Sequence, residues 1–129
     1  MSQFTSASEL LSQARSRITR YRPHAAADAQ TAGAIIVDLR CSEDRLAEGT
    51  VPDAVVVGLS VLPWRVDPEA ERTDPRINDR ATRLILMCND GYSSSLAAAT
   101  LTEMGFADVG DIDGGFRAWS AAGLPIEDR

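Results

Sequence analysis

The chain contains no lysine: all 13 of its basic residues are arginine. Schiff-base and lysine-nucleophile chemistry are therefore excluded. One histidine (His24) and two cysteines (Cys41 and Cys88), with no C-x-x-C pair, cannot fill a four-ligand Cys/His zinc site or build a disulfide scaffold. No metal site and no cofactor are expected. No apolar run approaches the ~20 residues that span a bilayer, so no membrane partner is expected. The opening MSQFTSASELLSQARSR lacks the basic-then-apolar order of a secretory signal, which gives a cytoplasmic reading. The net charge of −6 argues against nucleic acid, whose binders carry a basic footprint.

What is present is ordinary for a soluble globular protein. A chain of 129 residues, 44% hydrophobic and 25% charged, suits one domain with one sizeable core. Any enzymatic chemistry must come from a cysteine, carboxylates, hydroxyls, arginines or backbone dipoles.

Residues 1–24 carry Arg15, Arg17, Arg20 and Arg22 against Glu9, giving +3, whereas the remainder carries −9. Leu10, Leu11, Ala14 and Ile18 share one face of an amphipathic helix expected over about 8–20, with Ser6 and Glu9 at capping-box spacing before it. Residues 1–22 thus read as a helical extension whose arginines face water, the sharper alternative being a basic partner-docking helix or an oligomer contact. A second helix over 24–31 starts with Pro23 in its first position and leaves His24 on the surface. Apolar runs predict buried strands over 34–39, 54–57, 83–87 and 108–112. Helices are expected over 42–48, 94–104 and 116–122. The stretch 59–79, broken by Pro63, Pro68 and Pro75, reads as a long excursion. Strands that alternate with helices and are apolar on both faces imply a parallel sheet covered on both sides. Ligands of such sheets bind beyond the carboxyl ends of the strands.

The strand over 83–87 runs straight into Cys88-Asn89-Asp90-Gly91-Tyr92-Ser93-Ser94 and then a helix. Consecutive N–H groups of such a turn form an anion-binding nest, and the positive end of the helix dipole favours a thiolate over the ordinary thiol of pKa ~8.5. Gly91 gives the turn its backbone freedom, and Ser93 or Ser94 is suited to cap the helix. Taken alone, a cysteine at a strand end is more often a small buried hydrophobe than a nucleophile.

The ordered set of motifs resembles the rhodanese-like domain family, the sulfurtransferases. Cys88-Asn-Asp-Gly-Tyr-Ser-Ser94 is similar to that family's C-x-x-G-x-R/T-S loop. Val37-Asp38-Leu39-Arg40 matches its D-x-R element. Glu48-Gly49-Thr50-Val51-Pro52-Asp53-Ala54 is similar to its G-H-I-P-G-A stretch, with Thr50 for His and Asp53 for the second Gly. Gly114-Gly115-Phe116-Arg117-Ala118-Trp119 matches its G-G-F-x-A-W signature. These motifs run from about Pro23 to Pro125. The resemblance implies an α/β domain over 23–129, with a central five-stranded parallel sheet and helices on both faces. It also implies a Cys88 nucleophile that carries a persulfide between a small-molecule sulfur donor, such as thiosulfate or a persulfide, and a thiol, cyanide or an acceptor protein. The alternative is a rhodanese-type module that binds or senses and uses Cys88 for regulation or not at all.

The departures from the pattern concern charge. Ser93 stands where many catalytic members carry a basic residue, and Asp90 adds a negative charge, so thiosulfate, a dianion, is expected to be a poor donor. The candidates for contacting a substrate anion are Arg45, then Arg40 and Arg65. Asp38, near the nucleophile, is expected to accept backbone N–H groups and not to act as a base. Related phosphatases close a longer cysteine loop with an arginine, which this loop lacks, so phosphatase activity is not expected. Cys41 lies just past a strand end on the same rim. Its expected role is a helix-start residue pointing away, the alternative being a thiol that reaches an oxidised or sulfur-loaded Cys88.

Overall fold

The computed structural model describes residues 3–128. Five parallel strands form one sheet: β1 (Thr19–Tyr21), β2 (Ile35–Asp38), β3 (Val55–Val56), β4 (Leu84–Met87) and β5 (Val109–Ile112), in the order β1-β5-β4-β2-β3. Six α-helices accompany them: α1 (Ala7–Arg15), α2 (Pro23–Thr31), α3 (Ser42–Glu48), α4 (Leu62–Val66), α5 (Ser93–Glu103) and α6 (Gly115–Ala121). The five-stranded parallel α/β architecture is the one the motifs imply.

The period-2 alternation of the central strands divides the core. Leu84 and Leu86 of β4 join Val37, Leu62, Val66, Ile77, Ala98 and Leu101 on one face, under α4 and α5. Ile85 and Met87 join Ile36, Ile112, Phe116 and Trp119 on the other, under α2 and α6. Both sets are shielded from water, which is why β2 and β4 read as unbroken apolar runs.

Two expectations need correction. The first helix stops at Arg15, with Ser16 as its C-cap, and residues 19–21 become an edge strand paired to β5 through Thr19–Gly110, Arg20–Asp111 and Tyr21–Ile112. Parallel pairing along β5 outcompetes continuation of an amphipathic helix whose last turn would have carried Ile18 and Arg20. The excursion 59–79 also holds structure, a 3-10 turn over Leu59–Val61 that leads into α4, and it buries Leu62, Val66 and Ile77. The capping box is present as the spacing predicts: the Glu9 amide donates to Ser6 Oγ at 3.1 Å and the Ser6 amide to Glu9 Oε1 at 3.4 Å.

Candidate active site

β4 ends at Met87, and the chain turns through Cys88–Tyr92 before α5 begins at Ser93. The turn is held from below by α6. The Phe116 and Arg117 amides donate to the carbonyls of Cys88 (2.8 Å) and Asn89 (3.1 Å). A glycine at 115 is required for this contact: its φ is +64°, and a Cβ would press into the Cys88 carbonyl oxygen and lie 2.6 Å from that of Asn89. The Cys88 and Asn89 carbonyls are thus turned toward α6, while the Gly91 amide faces the thiol.

Cys88 Sγ lies beside a pocket of about 430 Å³ lined by Leu39, Arg40, Cys41, Asp44, Cys88, Asn89, Asp90, Tyr92 and Ser93. The Gly91 amide donates to Sγ at 3.1 Å, and the thiol donates to Ser94 Oγ at 3.3 Å. Burial pushes the Cys88 thiol up, but the bonds that the Ser94 and Ser93 hydroxyls and the Ser94 and Gly91 amides donate to the ionised sulfur outweigh it. The net shift is below the ordinary thiol range. A cysteine whose pKa is lowered beside an open pocket is equipped as a nucleophile.

The model of the rhodanese-like domain matches residues 22–122. The chain belongs to that family. A sulfurtransferase of Allochromatium vinosum is 30% identical over 98 residues, 76% of this chain and 82% of its own length. A thiosulfate sulfurtransferase GlpE of Pseudomonas syringae is 32% identical over 100 residues, covering 78% of this chain and 85% of that protein. Among solved structures, a Rhodopseudomonas palustris protein of unknown function, described as a possible tyrosine phosphatase, superposes with a TM-score of 0.89. It is 29% identical and covers 98% of this chain and 99% of its own.

In this rhodanese-like domain the arginines named from sequence fall in different places. Arg40 lines the pocket, but it is buried, and two of its three guanidinium nitrogens are committed. Nε and NH2 bond Asp38 at 3.1 and 2.9 Å, and NH2 also donates to the Gly49 carbonyl at 2.8 Å. Its guanidinium stacks 3.9 Å from the centre of the Phe116 ring. Arg45 donates to the Arg40 carbonyl and Arg65 to that of Arg72, and neither is among the pocket-lining residues described. Asp38 also accepts the Arg40 amide at 3.0 Å. Asp90 is bridged at 2.8 Å by Arg117, which also grips Glu48 through two bonds of 3.1 Å.

Cys41 does not point away as expected. It is exposed, precedes α3 and lines the same pocket as Cys88. Its thiol donates to Asp44 Oδ2 at 3.2 Å, and the same oxygen accepts Asn89 Nδ2 from the nucleophile loop at 3.0 Å. Those two bonds, Asn89's first, hold Asp44 below the usual carboxylate range.

Sequence reasoning missed the far side of the loop. Arg15 and Arg20 do not simply face water: their NH2 groups donate to the Gly91 carbonyl at 2.9 and 3.0 Å. Asp111, fully buried on β5, accepts Ser94 Oγ at 2.8 Å, Ser95 Oγ at 2.7 Å and Arg20 Nε at 3.0 Å. The available signal was an aspartate inside a strand, Val109–Ile112, that the sequence reads as buried.

Proposed function

We propose that the protein is a cytoplasmic sulfurtransferase that carries sulfane sulfur on Cys88 as a persulfide. The observation that supports this most directly is the thiol itself, made acidic by a backbone amide and hydroxyls at the edge of an open pocket. The Cys88 thiolate attacks the outer sulfur of a donor, and the donor's leaving group departs with its electron pair: sulfite from thiosulfate, a thiolate from a persulfide. The new Cys88–S–S⁻ is stabilised by the N–H groups of the loop. A thiol or cyanide, or an acceptor protein's thiol, then takes the outer sulfur and returns the Cys88 thiolate. No cofactor enters the cycle.

Side-chain charge selects the donor. The pocket is faced by Asp44 and by Asp90, which Arg117 pairs, and Arg40 in its lining is neutralised by Asp38, so the described lining offers a dianion no unpaired cation. Two mainly apolar grooves meet the loop at Ser93 and share Leu96; one is lined by Leu59, Leu62 and Pro63, the other by Ala7, Leu11 and Tyr92. This favours a persulfide with a carbon skeleton over the dianion thiosulfate.

The test is turnover with thiosulfate and with an alkyl persulfide, using cyanide as acceptor, for the wild type and Cys88→Ser. The expected result is faster turnover with the persulfide and none in C88S. A wild type that transfers no sulfur from either donor would support the other reading, a rhodanese-type module that binds or senses.

A further inference from the structure

A fully buried carboxylate lies one hydroxyl away from the nucleophile, and the catalytic cycle above makes no use of it. Asp111 Oδ2 accepts Ser94 Oγ at 2.8 Å, and Ser94 Oγ in turn accepts the Cys88 thiol at 3.3 Å. A serine hydroxyl has one proton. While that proton is given to Asp111, the Ser94 oxygen can only accept, which suits a thiol and not a thiolate. Ionised Cys88 needs the hydroxyl turned toward it. Asp111 and the thiolate therefore compete for the same proton.

The structure equips Asp111 to hold that position. Arg20 of β1 pairs with it at 3.0 Å and Ser95 donates at 2.7 Å, so the carboxylate keeps two partners when Ser94 turns away. Arg20 also donates to Asp113 (3.1 Å) and to the Gly91 carbonyl (3.0 Å), while Arg15 of α1 donates to Ser95 Oγ (3.1 Å) and to the same carbonyl (2.9 Å). A trans peptide points its C=O and the following N–H in opposite directions. Two arginines on the Gly91 carbonyl thus fix the Gly91–Tyr92 peptide plane in the nucleophile loop. The other charged groups near the thiol are Arg40 paired with Asp38, Asp44 held by Asn89 and Cys41, and Asp90 paired with Arg117.

We propose that Asp111, anchored by Arg20, is a positioning residue that acts through Ser94 to limit the ionisation of Cys88, making the N-terminal segment part of the sulfur-handling site. Its use is chemical. The backbone nest favours the thiolate, but a thiolate made too stable is a weak nucleophile, and attack is best served by a thiol that ionises near ambient pH. Asp111 offsets the nest.

The experiment is the pH profile of Cys88 alkylation by iodoacetamide, followed by peptide mapping, in wild type, Asp111→Asn, Ser94→Ala and the double variant. D111N removes the competing charge and keeps the shape. Its alkylation midpoint falls by about one unit. S94A raises the midpoint, and in the S94A background the D111N shift is at least halved, because most of it passes through the hydroxyl. If D111N fails to fold, the charge-neutral pair Arg20→Gln with Asp111→Asn replaces it and shows a lowering as well. A midpoint unchanged or raised in whichever variant folds overturns the proposal, as does a D111N shift left intact by S94A.

A second arm rests on the sulfurtransferase reading. Each unit by which the midpoint falls costs the thiolate about threefold in intrinsic attack and makes Cys88 a better leaving group. Sulfur uptake by D111N therefore slows about threefold above both midpoints, while release to a thiol acceptor accelerates; simple structural damage would slow both. A wild type that takes up no sulfur would refute the sulfurtransferase reading and leave the alkylation result to judge Asp111 by itself.

Discussion

Replacing Asp38 by Asn tests how the rim of the pocket is built. Asp38 is fully buried, and Arg40 is only 4% exposed. Oδ1 accepts the Arg40 amide at 3.0 Å and Nε at 3.1 Å, and Oδ2 accepts NH2 at 2.9 Å. An asparagine there turns one acceptor into a donor that faces guanidinium N–H groups. It also leaves the buried cation with no anionic partner, held by one amide oxygen, the Gly49 carbonyl and the Phe116 ring. Arg40 NH1 already lacks a hydrogen-bond partner among the described residues, so the site has no spare acceptor. Removing one partner of a buried ion pair costs about 3–5 kcal/mol, a large share of the roughly 5–15 kcal/mol that holds a domain folded. With a urea slope of about 2 kcal/mol/M, the unfolding midpoint drops by roughly 2 M. Adding Arg40→Met to Asp38→Asn removes the stranded charge and restores most of that loss. The assay is equilibrium urea unfolding followed by circular dichroism. A midpoint shift in D38N below about 0.5 M, or a double variant no more stable than D38N, would refute the argument that this pair is a mutually dependent buried unit.

Asp90→Asn removes a negative charge from the pocket and lowers the KM for thiosulfate about two- to fourfold, with the larger effect at low salt; steady-state kinetics at two ionic strengths check it. Gly115→Ala forces a side chain into the Cys88 and Asn89 carbonyls at a φ of +64°. By shifting the loop it reduces sulfur transfer about a hundredfold in a protein that still folds, read by turnover beside circular dichroism. Mild peroxide converts Cys88 to a sulfenic acid, which the Cys41 thiol attacks across the shared pocket to give a disulfide and water. Peptide mapping then finds a Cys41–Cys88 crosslink that is absent from Cys41→Ser.

Much of the fold was legible because burial on both faces leaves a plain mark. Ile35–Asp38 and Leu84–Met87 lie in the middle of the sheet and carry unbroken apolar runs. Thr19–Tyr21 lies at the edge, is three residues long and has arginine at its centre, so nothing in its pattern separates it from the end of an amphipathic helix. The nucleophile loop was legible because its chemistry is local: strand, Cys88, Gly91 and helix follow one another directly. Its support was not, because Arg20 reaches Asp111 across 91 positions and Arg15 reaches Gly91 across 76. Spacing within a motif cannot show which distant side chains meet behind it. The arginines illustrate the same limit in reverse, since Arg45 and Arg65 lie near the motifs in sequence yet spend their hydrogen bonds on backbone carbonyls.

The most direct test of the account is intact mass spectrometry after a brief exposure to an alkyl persulfide, followed by peptide mapping under non-reducing conditions. The peptide that contains Cys88 is expected to gain about 32 Da, one sulfur atom. A thiol or cyanide then reverses the gain, and Cys88→Ser abolishes it. A wild-type protein that gains no mass, or gains it equally in Cys88→Ser, would contradict the claim that Cys88 carries the sulfur.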